Sequence, residues 1–271
     1  MRMKKSVFMI VVILLVIAFG VSAFMVGRYV INSKEQQRLN EELAQLAAST
    51  TEATQPETQA PTEAPTEATV ETTQETEPPE PTMIAAYEEV YNKNTDTVGW
   101  LQIDGTKLNN PVVQTPADPN FYLKRDFNKN YSEWGTVYAW GSADLQRPSD
   151  NVTLFGHTMK DGSMFACLHN YTSKDFWEQN KLIFFNTLTE YHTYKVYAVF
   201  KVSANIGNFA YHQFVDANNA EEFNDFVSTC KAMSFYETGI TPVYGDKLLT
   251  LSTCEYSLDN GRLVVCAVRM D

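Results

Sequence analysis

The sequence predicts a mainly β fold, a closed or nearly closed β-barrel with helical insertions, beginning at about Ile84. The first observation is a series of short segments rich in β-branched and aromatic residues, each bounded by Gly, Asn, Asp or Pro, as strands usually are. The second is the scarcity of helical segments between them, which argues against a parallel α/β fold. The predicted strands are residues 98–103, 111–114, 135–140, 151–156, 181–185, 193–202, 246–254 and 262–270.

Three other segments of this part of the chain favour helix. They are residues 84–93, 162–170 and 217–234. In the last of them, Phe223, Phe226 and Val227 recur at helical spacing, which predicts that one face of the helix packs on the barrel.

The N-terminus contains a long uncharged run. Ser6 to Gly27 has 22 residues without a charge, enough to span a hydrocarbon core of about 30 Å as a helix. The basic residues Arg2, Lys4 and Lys5 precede it, and by the positive-inside rule this flank stays in the cytoplasm. We therefore expect residues 1–33 to form a cytoplasmic flank and a single-pass anchor in the cell membrane, with the remainder extracellular.

A cleaved signal peptide is the competing interpretation of this segment. Val21-Ser22-Ala23 offers small residues suited to cleavage, although the apolar run is longer than the roughly 7–15 residues typical of secretory signals. Both interpretations place the C-terminal part of the chain outside the cytoplasm.

A juxtamembrane helix and a disordered linker are predicted for residues 34–82. Residues 34–47 favour helix, whereas residues 48–82 are rich in Thr, Pro and Glu, with eight Glu, no Lys or Arg and no aromatic residue. Such a segment buries too little apolar surface to offset the entropy of ordering. The linker is thus expected to hold a catalytic domain, residues 83–271, away from the bilayer.

Composition excludes several classes of function. The net charge of the 271-residue chain is −12, and neither the linker nor the domain offers a basic stripe, so nucleic acid is not an expected partner. The four Cys form no CxxC pair and no cluster of acids stands out, so neither a metal nor another cofactor is expected. Free Cys is commonly buried, and we expect about three of the four to be buried thiols.

Cys254 is the cysteine with the best case for chemistry. Strand alternation places Leu248, Thr250, Ser252 and Cys254 on one face, and a turn-rich loop follows. If the last two strands pair antiparallel, Cys254 faces Arg262 across the mouth of that loop. A guanidinium near a thiol favours the nucleophilic thiolate and could stabilise an oxyanion.

A base for this nucleophile would come from one of four histidines. His157 follows a predicted strand directly after Gly156, at the lip of a loop, where site residues concentrate. His169 lies in a predicted helix, His192 in a polar loop and His212 beside Tyr211. Spacing alone leaves the choice open, and a lone His is more often an ordinary surface or core residue.

Two motifs resemble those of class B sortases. Thr250-Leu251-Ser252-Thr253-Cys254 with Arg262 eight residues later resembles the signature TLxTC followed by Arg. Leu154 to Phe165, LFGHTMKDGSMF, is similar to the YGHNMKDGSMF segment of that class. The resemblance extends over about residues 84–271, although residues 139–144 depart from the class pattern.

The resemblance implies a fold, a mechanism and partners. Sortases have an eight-stranded β-barrel and cleave a C-terminal sorting motif of exported surface proteins after Thr through a cysteine thioacyl intermediate. An amine of a peptidoglycan precursor or of a pilin lysine then accepts the acyl group. Carried over by motif, Cys254 is the nucleophile, His157 the acid and base, and Arg262 the oxyanion stabiliser. Leu123, Tyr211, Ser252 and Glu255 are the expected substrate-binding residues, with barrel packing as the alternative for Leu123 and Tyr211.

Three alternatives to peptidoglycan attachment remain open. A pilus-polymerising sortase would differ only in the acceptor amine, and a thiol hydrolase of surface proteins would use water. A non-catalytic adhesin on a stalk would leave the grouping of Cys254, His157 and Arg262 without a function.

Overall fold

The computed structural model describes residues 5–49, 82–205 and 207–270, so most of the predicted linker lies outside the described residues. The chain forms two compact units that divide between Glu42 and Leu43. The first is part of helix α1, Lys5–Ser49, which is long and apolar enough to cross a membrane, with a mean hydropathy of 3.0 in its most apolar window. By length and composition α1 fits the predicted transmembrane helix.

The second unit contains eight strands that close into a barrel, which confirms the predicted fold class. Every predicted strand segment forms one of them. The strands are β1 Thr97–Gln102, β2 Asn109–Val113, β3 Val137–Ala139, β4 Asn151–Phe155, β5 Leu182–Thr187, β6 Thr193–Ser203, β7 Leu248–Glu255 and β8 Gly261–Arg269.

The strand order around the barrel is β1-β2-β3-β4-β7-β8-β6-β5, and β5 pairs with β1 to close it. The neighbours are antiparallel except for β2 with β3 and β4 with β7. Parallel strands end at the same edge of a sheet. Because Phe155 is the register partner of Ser252, the loop that follows β4 emerges beside the C-terminal end of β7.

Helices stand between several of the strands along the chain. The α-helices of this unit are α2 Ala85–Lys93, α3 Lys174–Gln179 and α4 Ala220–Met233, and the 3-10 helices are Phe121–Lys124, Phe165–Thr172 and Tyr211–Gln213. Asn219 is the N-cap of helix α4, and its side chain accepts a hydrogen bond from the Glu222 amide. Phe223, Phe226 and Val227 are buried, as their spacing predicted.

The helix predicted at residues 162–170 was misplaced. The structure has a 3-10 helix from Phe165 to Thr172 and then the short α3. The chain first closes a tight loop through a bridge between Thr158 and Met164, and Met164 adopts a positive φ of 54°. A residue with a positive φ cannot continue a right-handed helix, so the helix begins only after it.

Candidate active site

The ends of β7 and β8 bring Cys254 and Arg262 together. The two residues are register partners in the antiparallel ladder, as the sequence predicted. Cys254 is partly exposed, whereas the other cysteines of the chain, Cys167, Cys230 and Cys266, are buried, which confirms the expected division. Among the four thiols, Cys254 is therefore the one placed to meet a substrate.

Both residues line a cleft of about 230 Å³ at this edge of the barrel. The cleft contains six of the seven predicted site residues and several that were not predicted. Its lining residues are Asn120, Leu123, Thr136, Tyr138, Trp140, Phe155, Gly156, His157, Ala204, Tyr211, His212, Ser252, Thr253, Cys254 and Arg262.

His157 is held by a backbone carbonyl. Its Nε2 lies 2.6 Å from the carbonyl oxygen of Leu123, a residue of the 3-10 helix Phe121–Lys124. A carbonyl oxygen only accepts hydrogen bonds, so Nε2 carries a hydrogen and donates it. Nδ1 is then the ring nitrogen left to exchange a proton in the cleft.

Two glycines permit the close packing around this histidine. Gly135 has a φ of +61°, and a Cβ there would lie 2.7 Å from the Leu123 carbonyl oxygen and 3.2 Å from Cδ2 of His157. A Cβ on Gly156 would lie 2.7 Å from the ring of Phe165. Both positions therefore require the absence of a side chain, a role that sequence reasoning did not assign to them.

Ser252 and Tyr211 form a buried pair beneath the cleft. Their hydroxyl oxygens are 2.6 Å apart, and both side chains are almost inaccessible to solvent. Burial raises the pKa of Tyr211 to about 12, against opposing effects of the Ser252 hydrogen bond and the Arg262 charge. The pair therefore supplies neutral hydroxyls at the base of the cleft.

Arg262 is anchored by the backbone of its own turn. Its Nη1 donates to the carbonyl oxygen of Gly261 at 2.9 Å and to that of Asn260 at 3.3 Å. A guanidinium has five N–H donors, so others are left for a substrate oxyanion. The charge of Arg262 also acts on Tyr138. Burial raises the pKa of Tyr138 to about 12, and the positive charge of Arg262 opposes this increase.

Glu255 does not line the cleft, unlike the other predicted site residues. Successive side chains of a strand point to opposite faces, so Glu255 faces away from the side of Cys254. Its carboxylate pairs with Lys201 Nζ at 2.8 Å and accepts two hydrogen bonds from Ser257. Burial opposes its ionisation, but these partners outweigh burial and lower its pKa to about 2. Glu255 thus ties the loop between Cys254 and Arg262 to β6.

An aromatic wall on one side of the cleft was missed from the sequence. The His212 ring lies 5.2 Å from the Trp140 ring and 6.2 Å from the Phe155 ring, both edge-on. Burial, followed by the charge of Arg262, lowers the pKa of His212, which favours the neutral imidazole. These residues come from three distant segments, and no local pattern joins them.

Comparisons with known proteins identify sequences and structures that are similar to this chain. A family model described as the sortase domain matches residues 101–270. Sortase B of Staphylococcus aureus strain NCTC 8325 is 29% identical over 183 residues, covering 67% of this chain and 73% of the relative. The crystal structure of sortase B from B. anthracis in complex with AAEK1 is 25% identical, with a TM-score of 0.69, and covers 89% of this chain and 99% of that one. A Staphylococcus aureus sortase B–substrate complex shares the fold, with a TM-score of 0.72 at 23% identity over 89% of this chain and 99% of that one.

Proposed function

Because the chain belongs to the sortase family, and within it to class B, we propose that it cleaves a C-terminal sorting motif of exported proteins after Thr and transfers the acyl group to an amine of a peptidoglycan precursor. The observation that carries this proposal is the meeting of Cys254, His157 and Arg262 in one cleft. Members of the family are cysteine transpeptidases, and these residue types supply a nucleophile, a proton carrier and a fixed positive charge.

The first half of the proposed reaction forms a thioester. The proton of the Cys254 thiol passes to Nδ1 of His157, and the thiolate attacks the carbonyl carbon of the Thr residue. The carbonyl oxygen becomes an oxyanion beside the remaining N–H donors of Arg262. The peptide C–N bond then breaks, and the leaving amine takes its proton from Nδ1 of His157. The Nε2–H bond to Leu123 keeps the ring oriented for this transfer.

The second half reverses the proton flow. The acceptor amine attacks the thioester carbonyl and gives a proton to His157, and the carbon–sulfur bond breaks to return the Cys254 thiolate. One amide is exchanged for another, so no oxidant or cofactor is required. The substrate would lie against the aromatic wall of Trp140, Phe155 and His212, with Leu123, Tyr211 and Ser252 as further contacts. For Glu255 we propose the loop-binding role in place of substrate contact.

The location follows from helix α1. We propose that it anchors the enzyme in the cell membrane as a single span, with the N-terminus cytoplasmic and the catalytic domain extracellular. The basic residues Arg2, Lys4 and Lys5 before the apolar run favour this orientation. The enzyme would then meet exported substrates on the extracellular side of the cell membrane.

The test uses the full chain in detergent micelles and a library of sorting-motif peptides. Intact mass should show an acyl adduct on Cys254 that ends at the motif's Thr, and the Cys254→Ala variant should show none. The adduct should then transfer to a peptide amine that mimics a cell-wall precursor. Transfer only to a lysine of a pilin-like peptide would indicate the pilus-polymerising alternative, and release only to water would indicate a hydrolase. Absence of an adduct with every peptide would contradict the proposal.

A further inference from the structure

A second histidine lies behind the nucleophile, and the mechanism above does not use it. His169 is a half-buried residue of the 3-10 helix Phe165–Thr172. Its Nε2 lies 3.2 Å from the backbone carbonyl oxygen of Cys254 and 3.0 Å from Oγ1 of Thr158. It thus contacts both the β7 end that carries the nucleophile and the loop that carries His157.

The hydrogen bonds continue from Thr158 through a second threonine. Thr158 Oγ1 is 2.8 Å from Oγ1 of Thr253, which in turn is 2.7 Å from the carbonyl oxygen of Gly156. Thr253 is buried, with 2% of its surface exposed. The hydrogen bonds therefore join Gly156 and Thr158, the two neighbours of His157, to Thr253 and to the backbone carbonyl of Cys254. We refer to His169, Thr158 and Thr253 as the clamp.

The direction of these bonds follows from the carbonyl groups at their ends. Gly156 and Cys254 contribute carbonyl oxygens, which only accept. Thr253 must therefore donate its hydroxyl hydrogen to Gly156 and accept the hydrogen of Thr158. Thr158 shares its one hydrogen between Thr253 and, at the longer distance of 3.4 Å, the Cys254 carbonyl oxygen, so His169 Nε2–H is the donor to Thr158 and to the same carbonyl. The hydrogen of Thr253 has one acceptor, whereas those of Thr158 and His169 are each shared between two.

We propose that His169 is a positioning residue that, through the clamp, sets the separation between His157 and Cys254. The inference rests on the proposed function of those two residues. His169 touches no reacting atom and acts through the backbone of its neighbours. A displacement of about 1 Å between reacting groups can lower the rate on the order of 100-fold. Loss of a hydrogen bond that fixes their separation would therefore lower turnover.

The experiment compares variants that keep or remove the Nε2–H donor in the full chain. His169→Gln places an amide N–H where the imidazole N–H was, whereas His169→Leu fills similar space without a donor. Thr158→Val removes the hydroxyl that hydrogen-bonds to His169 and Thr253. Thr172→Val is the matched control, because Thr172 Oγ1 donates to the His169 carbonyl from the exposed side of the same 3-10 helix.

Two kinetic measurements are made for each variant. One is alkylation of Cys254 by iodoacetamide, followed by peptide mass mapping, which requires no sorting peptide. The other is kcat and KM with the peptide that forms the adduct. We expect His169→Leu and Thr158→Val to lower alkylation and kcat about tenfold or more, with KM changed less than about twofold. His169→Gln should recover to within about threefold of the parent, and Thr172→Val should match the parent.

Equal impairment of the Leu and Gln variants would overturn the proposal, because it would show that the ring serves only for packing. Parental rates in His169→Leu would overturn it as well. If no peptide gave an adduct, the proposed transpeptidase reaction would fail while the alkylation rates still decided the role of the clamp.

Discussion

Cys254 and Arg262 are direct cross-strand partners at the loop end of the β7–β8 hairpin. The loop between them is short, and the strand register fixes the spacing of their backbones. Two carbonyl groups of the turn hold Nη1 of Arg262. This relationship places a fixed positive charge on the strand position facing the proposed nucleophile, and the predictions below follow from it and from its neighbours.

Replacement of the proposed nucleophile should abolish turnover without unfolding the domain. Cys254 is partly exposed at a strand end, so Cys254→Ala leaves no enclosed cavity of the kind that destabilises a core. Peptide cleavage measured by mass spectrometry should fall to background, while the thermal midpoint stays within a few degrees of the parent. As a control, Cys167→Ala removes a buried thiol and should lower the midpoint without abolishing cleavage. Full activity of Cys254→Ala would refute the mechanism.

Substitution of Arg262 by Lys should lower kcat about 100-fold. An ammonium is a point charge and cannot keep the two carbonyl bonds while offering a further planar donor to an oxyanion. The matched control is Arg269→Lys at the opposite end of β8, which should retain parental kcat. Steady-state kinetics of both variants would check the prediction, and equal kcat values would contradict it.

The contact of Gly135 with the His157 site can be separated from its backbone strain. Gly135→Ala should lower kcat about tenfold or more, because its Cβ would push on the Leu123 carbonyl that orients His157. Gly239 has a similar φ of +74° with nothing within 4 Å of the added Cβ. Gly239→Ala should therefore cost a comparable backbone strain, on the order of 1–2 kcal/mol, and leave kcat unchanged.

Kinetics and thermal unfolding of the two alanine variants provide the measurement. A kcat for Gly135→Ala equal to that for Gly239→Ala would show that the Leu123 contact does not matter for the reaction.

The Glu255 ion pair should make stability depend on pH in acid. Its pKa is lowered from 4.5 to about 2 in the folded protein, so the carboxylate stabilises the fold above pH 4.5, and this contribution is lost as the pH falls toward 2. The difference in unfolding free energy between the parent and Glu255→Gln should therefore shrink across that window. Denaturant unfolding followed by tryptophan fluorescence would measure it, with Glu237→Gln as an exposed control. A difference that does not change with pH would rule out the ion pair as its source.

Much of the barrel was predictable because its strands are local patterns. Each of the eight segments carries β-branched or aromatic residues between turn residues, and each forms a strand. The misplaced helix at residues 162–170 shows the limit of this approach. Its start depends on the bridge between Thr158 and Met164, which is a tertiary closure and leaves no periodic signal.

The site divides in the same way. Cys254, Arg262 and His157 lie in contiguous motifs at strand ends, and the resemblance of these motifs to those of class B sortases singled them out where spacing alone left His157 open. Glu255 shared the motif of Cys254, but strand alternation turns it to the opposite face, where Lys201 binds it. A motif alone does not distinguish a side chain in the cleft from its neighbour behind it.

The chain alone predicts an apolar N-terminal helix and eight strands, because these depend on composition and short-range periodicity, and its local motifs supply the candidates for the reacting residues. The aromatic wall, the carbonyl that orients His157 and the clamp through His169 were decided only when the barrel closed. The reason is that β4 and β7 are parallel neighbours although 92 residues separate Phe155 from Leu248, the end of one and the start of the other. Contacts across such a separation arise from strand order, which no local pattern in the sequence encodes.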